Sequence, residues 1–106
     1  MALHVATVSI ELIQFLRPLV ERIRRRDRSL ADQLVRAANS IALNVAEADR
    51  SDGGTARSRF HSAAGSASET LMALRAAVAW GYIGAQAAHA AEQHLDRIRA
   101  LWKLTR

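Results

Sequence analysis

Five arginines fall within seven residues, at Arg22, Arg24, Arg25, Arg26 and Arg28, separated only by Ile23 and Asp27. A guanidinium presents a planar fork of N–H donors that fits phosphate oxygens, and crowding several together makes a local field that attracts polyanions. The five arginines less Asp27 supply +4 of the formal net charge of +5, so the rest of the chain is close to neutral. This segment is the candidate nucleic-acid contact. A plainer reading stands beside it, because arginines in the last turn of a helix complement the helix dipole with no ligand at all. Fourteen of the fifteen basic residues are arginine, which also gives the run the look of compositional bias.

Other chemistry-bearing residues are scattered. Glu11, Glu47, Glu69 and Glu92 would each fall on a different helix of a bundle, the placement a di-iron site uses, but such sites also need Glu-x-x-His on two helices and the sequence has none. His89, Glu92, Asp96, Arg99 and Lys103 recur at three and four residues as a solvated charge ladder. His4, His61 and His94 are isolated along the chain. The "SDGG" of Ser51–Gly54 lacks the lysine and the preceding strand of a phosphate-binding loop. No catalytic residue, metal ligand, cofactor or small-molecule substrate is expected from this inventory.

The elements that position these groups are helical. Proline occurs once and glycine five times, and apolar residues recur at three and four positions rather than two. Val5, Val8, Leu12, Phe15, Leu16, Leu19 and Ile23 form one stripe of a first helix over 3–25, which Pro18 bends rather than ends. Ser29 with Asp32 predicts a capping box opening a second helix, whose stripe is Leu30, Leu34, Ala37, Ala38, Ile41, Val45 and Ala48. Thr55 is the expected N-cap of a third helix reaching Trp80, and a fourth runs over 85–104 after a turn bracketed by Gly81 and Gly84. Ala88, Ala91, Leu95, Ile98 and Trp102 make its stripe. Short loops between long helices predict an all-α, antiparallel up-down-up-down four-helix bundle in a single domain over 1–106. The absence of cysteine excludes disulfide frameworks, and no signal peptide or membrane span is visible, so a cytoplasmic location is expected.

The third helix has two faces. Phe60, Ala63, Ala64, Ala67, Leu71, Leu74 and Val78 form the expected core side, while Ser62, Gly65, Met72, Ala76 and Trp80 form a second side interrupted by Glu69. A helix apolar on two sides leaves one in water unless another chain covers it, so these six residues are the expected oligomer interface. Arg36, Asn44 and Glu47 border apolar faces of the second helix and are expected to act structurally, hydrogen-bonding with Glu69 across helices or across a subunit boundary.

Several motifs fall in a recognisable order. Gln33, Leu34, Arg36–Ala38, Ser40, Ile41 and Asn44–Glu47 are followed by Phe60, Gly65, Ser66 and Glu69, then by Gly81–Ile83. In this order and spacing the chain resembles the small bacterial four-helix-bundle proteins encoded in intervening sequences of 23S ribosomal RNA genes. Ala42 stands where that pattern commonly has proline and Ala48 where it has glycine, so the second helix should run further than is typical. The resemblance implies a ring-forming bundle, typically a pentamer, without an agreed biochemical activity. A branch similar in fold comprises the accessory proteins of diversity-generating retroelements, which are basic and associated with nucleic acid. The combined expectation is a non-catalytic homo-oligomer, pentameric, whose arginine rim meets RNA or single-stranded DNA; the alternative is a protein-interaction scaffold that binds no nucleic acid.

Overall fold

The computed structural model describes residues 2–105, with side chains for residues 5–103. Four helices follow in order: α1 Ala2–Arg26, α2 Arg28–Asp49, α3 Gly53–Ala79 and α4 Ala85–Thr105. Each packs on its neighbours in sequence and α4 closes against α1, giving the antiparallel up-down-up-down bundle. Its longest extent is 42 Å, close to the roughly 40 Å that a helix of α3's length spans at 1.5 Å per residue.

The period of large aliphatics sets three of the four buried stripes. Val5, Val8, Leu12, Leu16, Leu19 and Ile23 of α1 are buried with Leu34, Ile41 and Val45 of α2 and Leu95, Ile98 and Trp102 of α4. Phe15 and Leu30 sit half-buried at the edges of their stripes. Pro18 lies inside α1 with its ring exposed, and the helix continues through it to Arg26. α2 likewise continues through Ala42 and Ala48 to Asp49.

The α3 core side differs from expectation. Ser66, Thr70, Ala73 and Ala77 are buried beside Phe60, Ala63, Ala67 and Leu74, whereas Ala64, Leu71 and Val78 are only half-buried. The buried face is therefore turned toward smaller residues, because α3 meets α2 through small side chains, with the Ser66 hydroxyl donating to Ser40 Oγ at 2.7 Å between them. The buried Thr70 hydroxyl is satisfied within its own helix, donating to the Ser66 carbonyl at 2.8 Å. No buried side-chain polar atom among the described residues lacks a partner, as a dry core requires.

Helix starts also shift from the sequence reading. α2 is capped by Asp27, whose backbone is extended and whose side chain accepts the Leu30 N–H at 3.0 Å, rather than by a Ser29–Asp32 box. Ser29 already lies in the first helical turn, so it cannot hold the non-helical backbone that an N-cap needs. α3 is capped by Asp52, which accepts from the Thr55 N–H at 3.3 Å, so Gly53 and Gly54 are helical rather than part of a loose turn.

Candidate nucleic-acid interface

The arginine segment sits at a corner made of a single non-helical residue. Asp27 closes α1, its N–H donating to the Ile23 carbonyl at 2.7 Å, and opens α2 through its side chain. Its second carboxylate oxygen accepts from the Tyr82 hydroxyl at 3.3 Å, which ties this corner to the α3–α4 connection at the same end of the bundle. Desolvation, then the negative charge of Asp27 and the hydrogen bond to it, push the Tyr82 phenol up, outweighing the opposing charge of Arg26. Tyr82 thus stays an O–H donor at neutral pH.

Tyr82 is held in place by the way α3 ends. Gly81 takes φ +79°, the left-handed region where L side chains are strained. Its N–H donates to the Val78 carbonyl at 2.9 Å and the Tyr82 N–H donates to the Ala77 carbonyl at 2.8 Å. That pair of bonds is the Schellman arrangement, which fixes the residue after the glycine against the last helical turn. Ile83 then turns into the core. On this framework the Arg26 guanidinium lies 5.5 Å from the Tyr82 ring centroid, and the Trp80 and Tyr82 rings are stacked at 17° with centroids 6.5 Å apart.

The five arginines consequently divide. Arg24 pairs with Asp32 across the corner, and Arg26 is committed to Tyr82. Arg22, Arg25 and Arg28 are exposed, and none makes a hydrogen bond, ion pair or ring contact within the described residues. The Arg24 hydrogen bond holds the Asp32 carboxyl below the usual aspartate value against its desolvation, helped by the charges of Arg24, Arg36 and Arg28. A lowered carboxyl contributes stability that is present above its unfolded pKa, near 4, and lost as pH falls through the lower folded value. Wild type should therefore melt slightly higher than Asp32→Asn at neutral pH, and the two melting temperatures should converge below pH about 4. The difference is small because both partners are exposed. Melting curves by circular dichroism across acid pH check it.

The second face of α3 is open to solvent. Ser62, Gly65, Glu69 and Met72 are exposed and Ala76 is half-exposed. Met72 and, on α2, Leu43 show 62% and 66% of their surfaces. An open groove of about 670 Å³ runs between α2 and α3, lined by Arg36, Ser40, Glu69, Met72 and Ala76 among others. Trp80 is 69% exposed at the end of this row, but its ring is turned onto Tyr82 and does not line the groove.

Within the chain, the structural polar residues do not bridge helices as expected. The Asn44 amide donates to Ser40 of its own helix, to the carbonyl at 2.9 Å and to Oγ at 3.1 Å. Arg36, Glu47 and Glu69 are exposed, and none of their side chains hydrogen-bonds within the described residues. The cross-helix link is made instead by Ser40 and Ser66, short hydroxyls that fit where two helices approach closely. The α4 ladder is also divided: Glu92 pairs with Arg75 of α3 at 3.1 Å, while Arg99 and Asp96 pair at 3.5 Å along the helix. His94 is isolated in sequence but packs its ring on Phe15, centroids 4.9 Å apart. His4 lies outside the described side chains.

Glu11, Glu47 and Glu69 are exposed and Glu92 is half-buried against Arg75. Among the described residues no three acidic, histidine or cysteine side chains gather where a metal could bind. No helix among them is long and apolar enough to cross a membrane.

None of the curated proteins matches the chain. Its fold is similar to the crystal structure of a protein of unknown function from the S23 ribosomal protein family of Bacteroides thetaiotaomicron, with a TM-score of 0.81 over 92% of this chain and 93% of that one, at 20% identity. The model of the 23S rRNA-intervening sequence proteins matches residues 1–103. A match of that extent, on an all-α bundle of the same fold, places this chain in the 23S rRNA-intervening sequence protein family.

Proposed function

We propose that the chain acts by binding rather than catalysis: a cytoplasmic homo-oligomer, a closed pentamer, that meets RNA or single-stranded DNA through its arginine end. The observation that carries this reading is the division of the cluster. Arg24, Arg26 and Asp27 fix the corner, and Arg22, Arg25 and Arg28 are left exposed around it with no hydrogen bond, ion pair or ring contact among the described residues. Closing a ring would bring one such corner from every subunit to a common rim, and linked contacts gain affinity without any new chemistry. Phosphate contacts carry no base information, so binding should be weakly sequence-specific.

The salt dependence tests it. Each phosphate contact on a single strand contributes about 0.7 to the slope of log K against log salt, so Arg22→Ala, Arg25→Ala and Arg28→Ala together should lower that slope by about 2 per subunit engaged. Changing Arg24 and Arg26 instead would confuse binding with the corner's own support. Fluorescence anisotropy of labelled RNA and single-stranded DNA over a salt series gives the slopes. No binding to either at ~50 mM salt, where such contacts are strong, overturns the reading.

The exposed Leu43 and Met72 favour a second reading, a protein-interaction scaffold without nucleic acid. It gains support if the arginine variants leave every binding curve unchanged.

A further inference from the structure

An indole standing 69% exposed at a helix end is an unusual use of a large apolar side chain. Trp80 is not there by default of order. The residue after it, Gly81, is held in the left-handed region, and the two hydrogen bonds from Gly81 and Tyr82 back into α3 fix the turn. Tyr82 in turn is pinned by its hydroxyl to Asp27 and covered by the Arg26 guanidinium. The Trp80 ring lies nearly parallel to the ring of Tyr82. The result is a cluster in which Tyr82 meets both the Arg26 guanidinium and the Trp80 indole, with the indole ring exposed, on the corner that also carries Arg22, Arg25 and Arg28.

Every nucleobase has a flat π face, and stacking on an aromatic side chain is available only to a base that is not already stacked in a duplex. Cations beside the aromatic ring hold the backbone of the same strand. From this juxtaposition we infer that Trp80, supported by Tyr82 and Arg26, is a stacking platform for an unpaired base of a single strand whose phosphates lie along Arg22, Arg25 and Arg28. The inference rests on the arginine contact proposed above and adds to it a preference for unpaired over paired nucleic acid. It is indifferent to sugar type, since the platform meets the base; comparing RNA and DNA strands shows whether a 2′-hydroxyl adds anything.

Tryptophan fluorescence reads this directly, because Trp102, the other tryptophan, is buried at 5% exposure and Trp80 reports alone to solvent. Oligouridylate and oligodeoxythymidylate should quench the emission of the protein, while a mixed-sequence duplex binds with no quenching. Trp80→Ala should weaken single-strand binding about 5- to 150-fold, the equivalent of 1–3 kcal/mol per stacked base, and leave duplex binding unchanged. Trp80→Phe keeps a π face and should recover most of the loss. Circular dichroism and light scattering on both variants separate this from a change in fold or assembly; if Trp80→Ala disturbs either, Trp80→Phe and the wild-type quenching decide.

The outcomes separate the two proposals. If single strands and duplex both bind with salt dependence but neither quenches, or Trp80→Ala binds single strands as tightly as wild type, the platform is wrong and the arginine contact stands. If acrylamide fails to quench Trp80 in the free protein, a neighbouring subunit covers the ring and the platform is wrong. If nothing binds at low salt, the arginine contact fails and the platform falls with it.

Discussion

Met72→Glu, and independently Gly65→Arg, should turn the proposed pentamer into monomers while leaving the helix content nearly unchanged. Both positions lie on the exposed side of α3, and Met72 shows 62% of its surface in the monomer. Covering a side chain of that size contributes ~1.5–3 kcal/mol, and the proposed ring would repeat the contact at every boundary. A charge at Met72 would have to be desolvated without a partner, and an arginine at Gly65 would fill the space through which a neighbouring helix approaches. A Cβ at Gly65 meets nothing within 4 Å inside the chain and the Met72 side chain is exposed, so the bundle has room for either change. Sedimentation or light scattering at matched concentrations gives the answer. A wild type that is already monomeric at tens of micromolar would falsify the assembly.

The second large effect is on folding, and it contrasts two leucines of one helix. Leu34 is fully buried, and Leu43, nine positions further along α2, is 66% exposed. At about 100° per residue nine positions turn the side chain to the opposite face of the helix. Leu34→Ala should lower the unfolding free energy by about 2–5 kcal/mol, through lost transfer energy and the cavity left between α1, α2 and their neighbours. Leu43→Ala should stay within about 0.5 kcal/mol in the monomer. Urea titrations followed by circular dichroism compare them, and equal losses at the two positions would place the α2 stripe wrongly.

How much of this was legible in the sequence depends on side-chain size. Leu, Ile and Val at three- and four-residue spacing mark the core sides of α1, α2 and α4 because only one side of a helix can bury them. α3 carries alanine nearly all round, and alanine is neutral about which side faces in, so Ser66, Thr70, Ala73 and Ala77 gave no advance signal of burial. Their position follows from the close approach at Ser40 and Ser66, a contact between residues 26 apart that periodicity does not contain.

The candidate site was legible in part. The arginine run and its nearness to the Gly81–Gly84 turn follow from composition and topology. Asp27 counted in the sequence only as one charge offsetting five, whereas in the fold it caps α2 and receives Tyr82. A signal existed: an aspartate three residues before Leu30 at the start of an apolar period is itself a cap signature, and Ser29 competed with it. That Arg26 is spent on Tyr82 and that Trp80 leaves its row for the turn depend on the Gly81 geometry, which sequence spacing alone does not specify.

The bond between Tyr82 and Asp27 spans 55 positions of chain, about twice the separation of Ser40 and Ser66. Closing a loop twice as long costs roughly 0.6 kcal/mol more in chain entropy, and the smaller loop is closed by a hairpin of two adjacent helices. Both bonds close the same α2–α3 hairpin, Ser66 to Ser40 midway along it and Tyr82 to Asp27 across its open end, so the clasp has the longer search of the two. Within that hairpin, the end that bears the arginines and the paired rings is the far end from the turn, so a chain that zips from Asp52 outward has its middle packed before it has a binding surface.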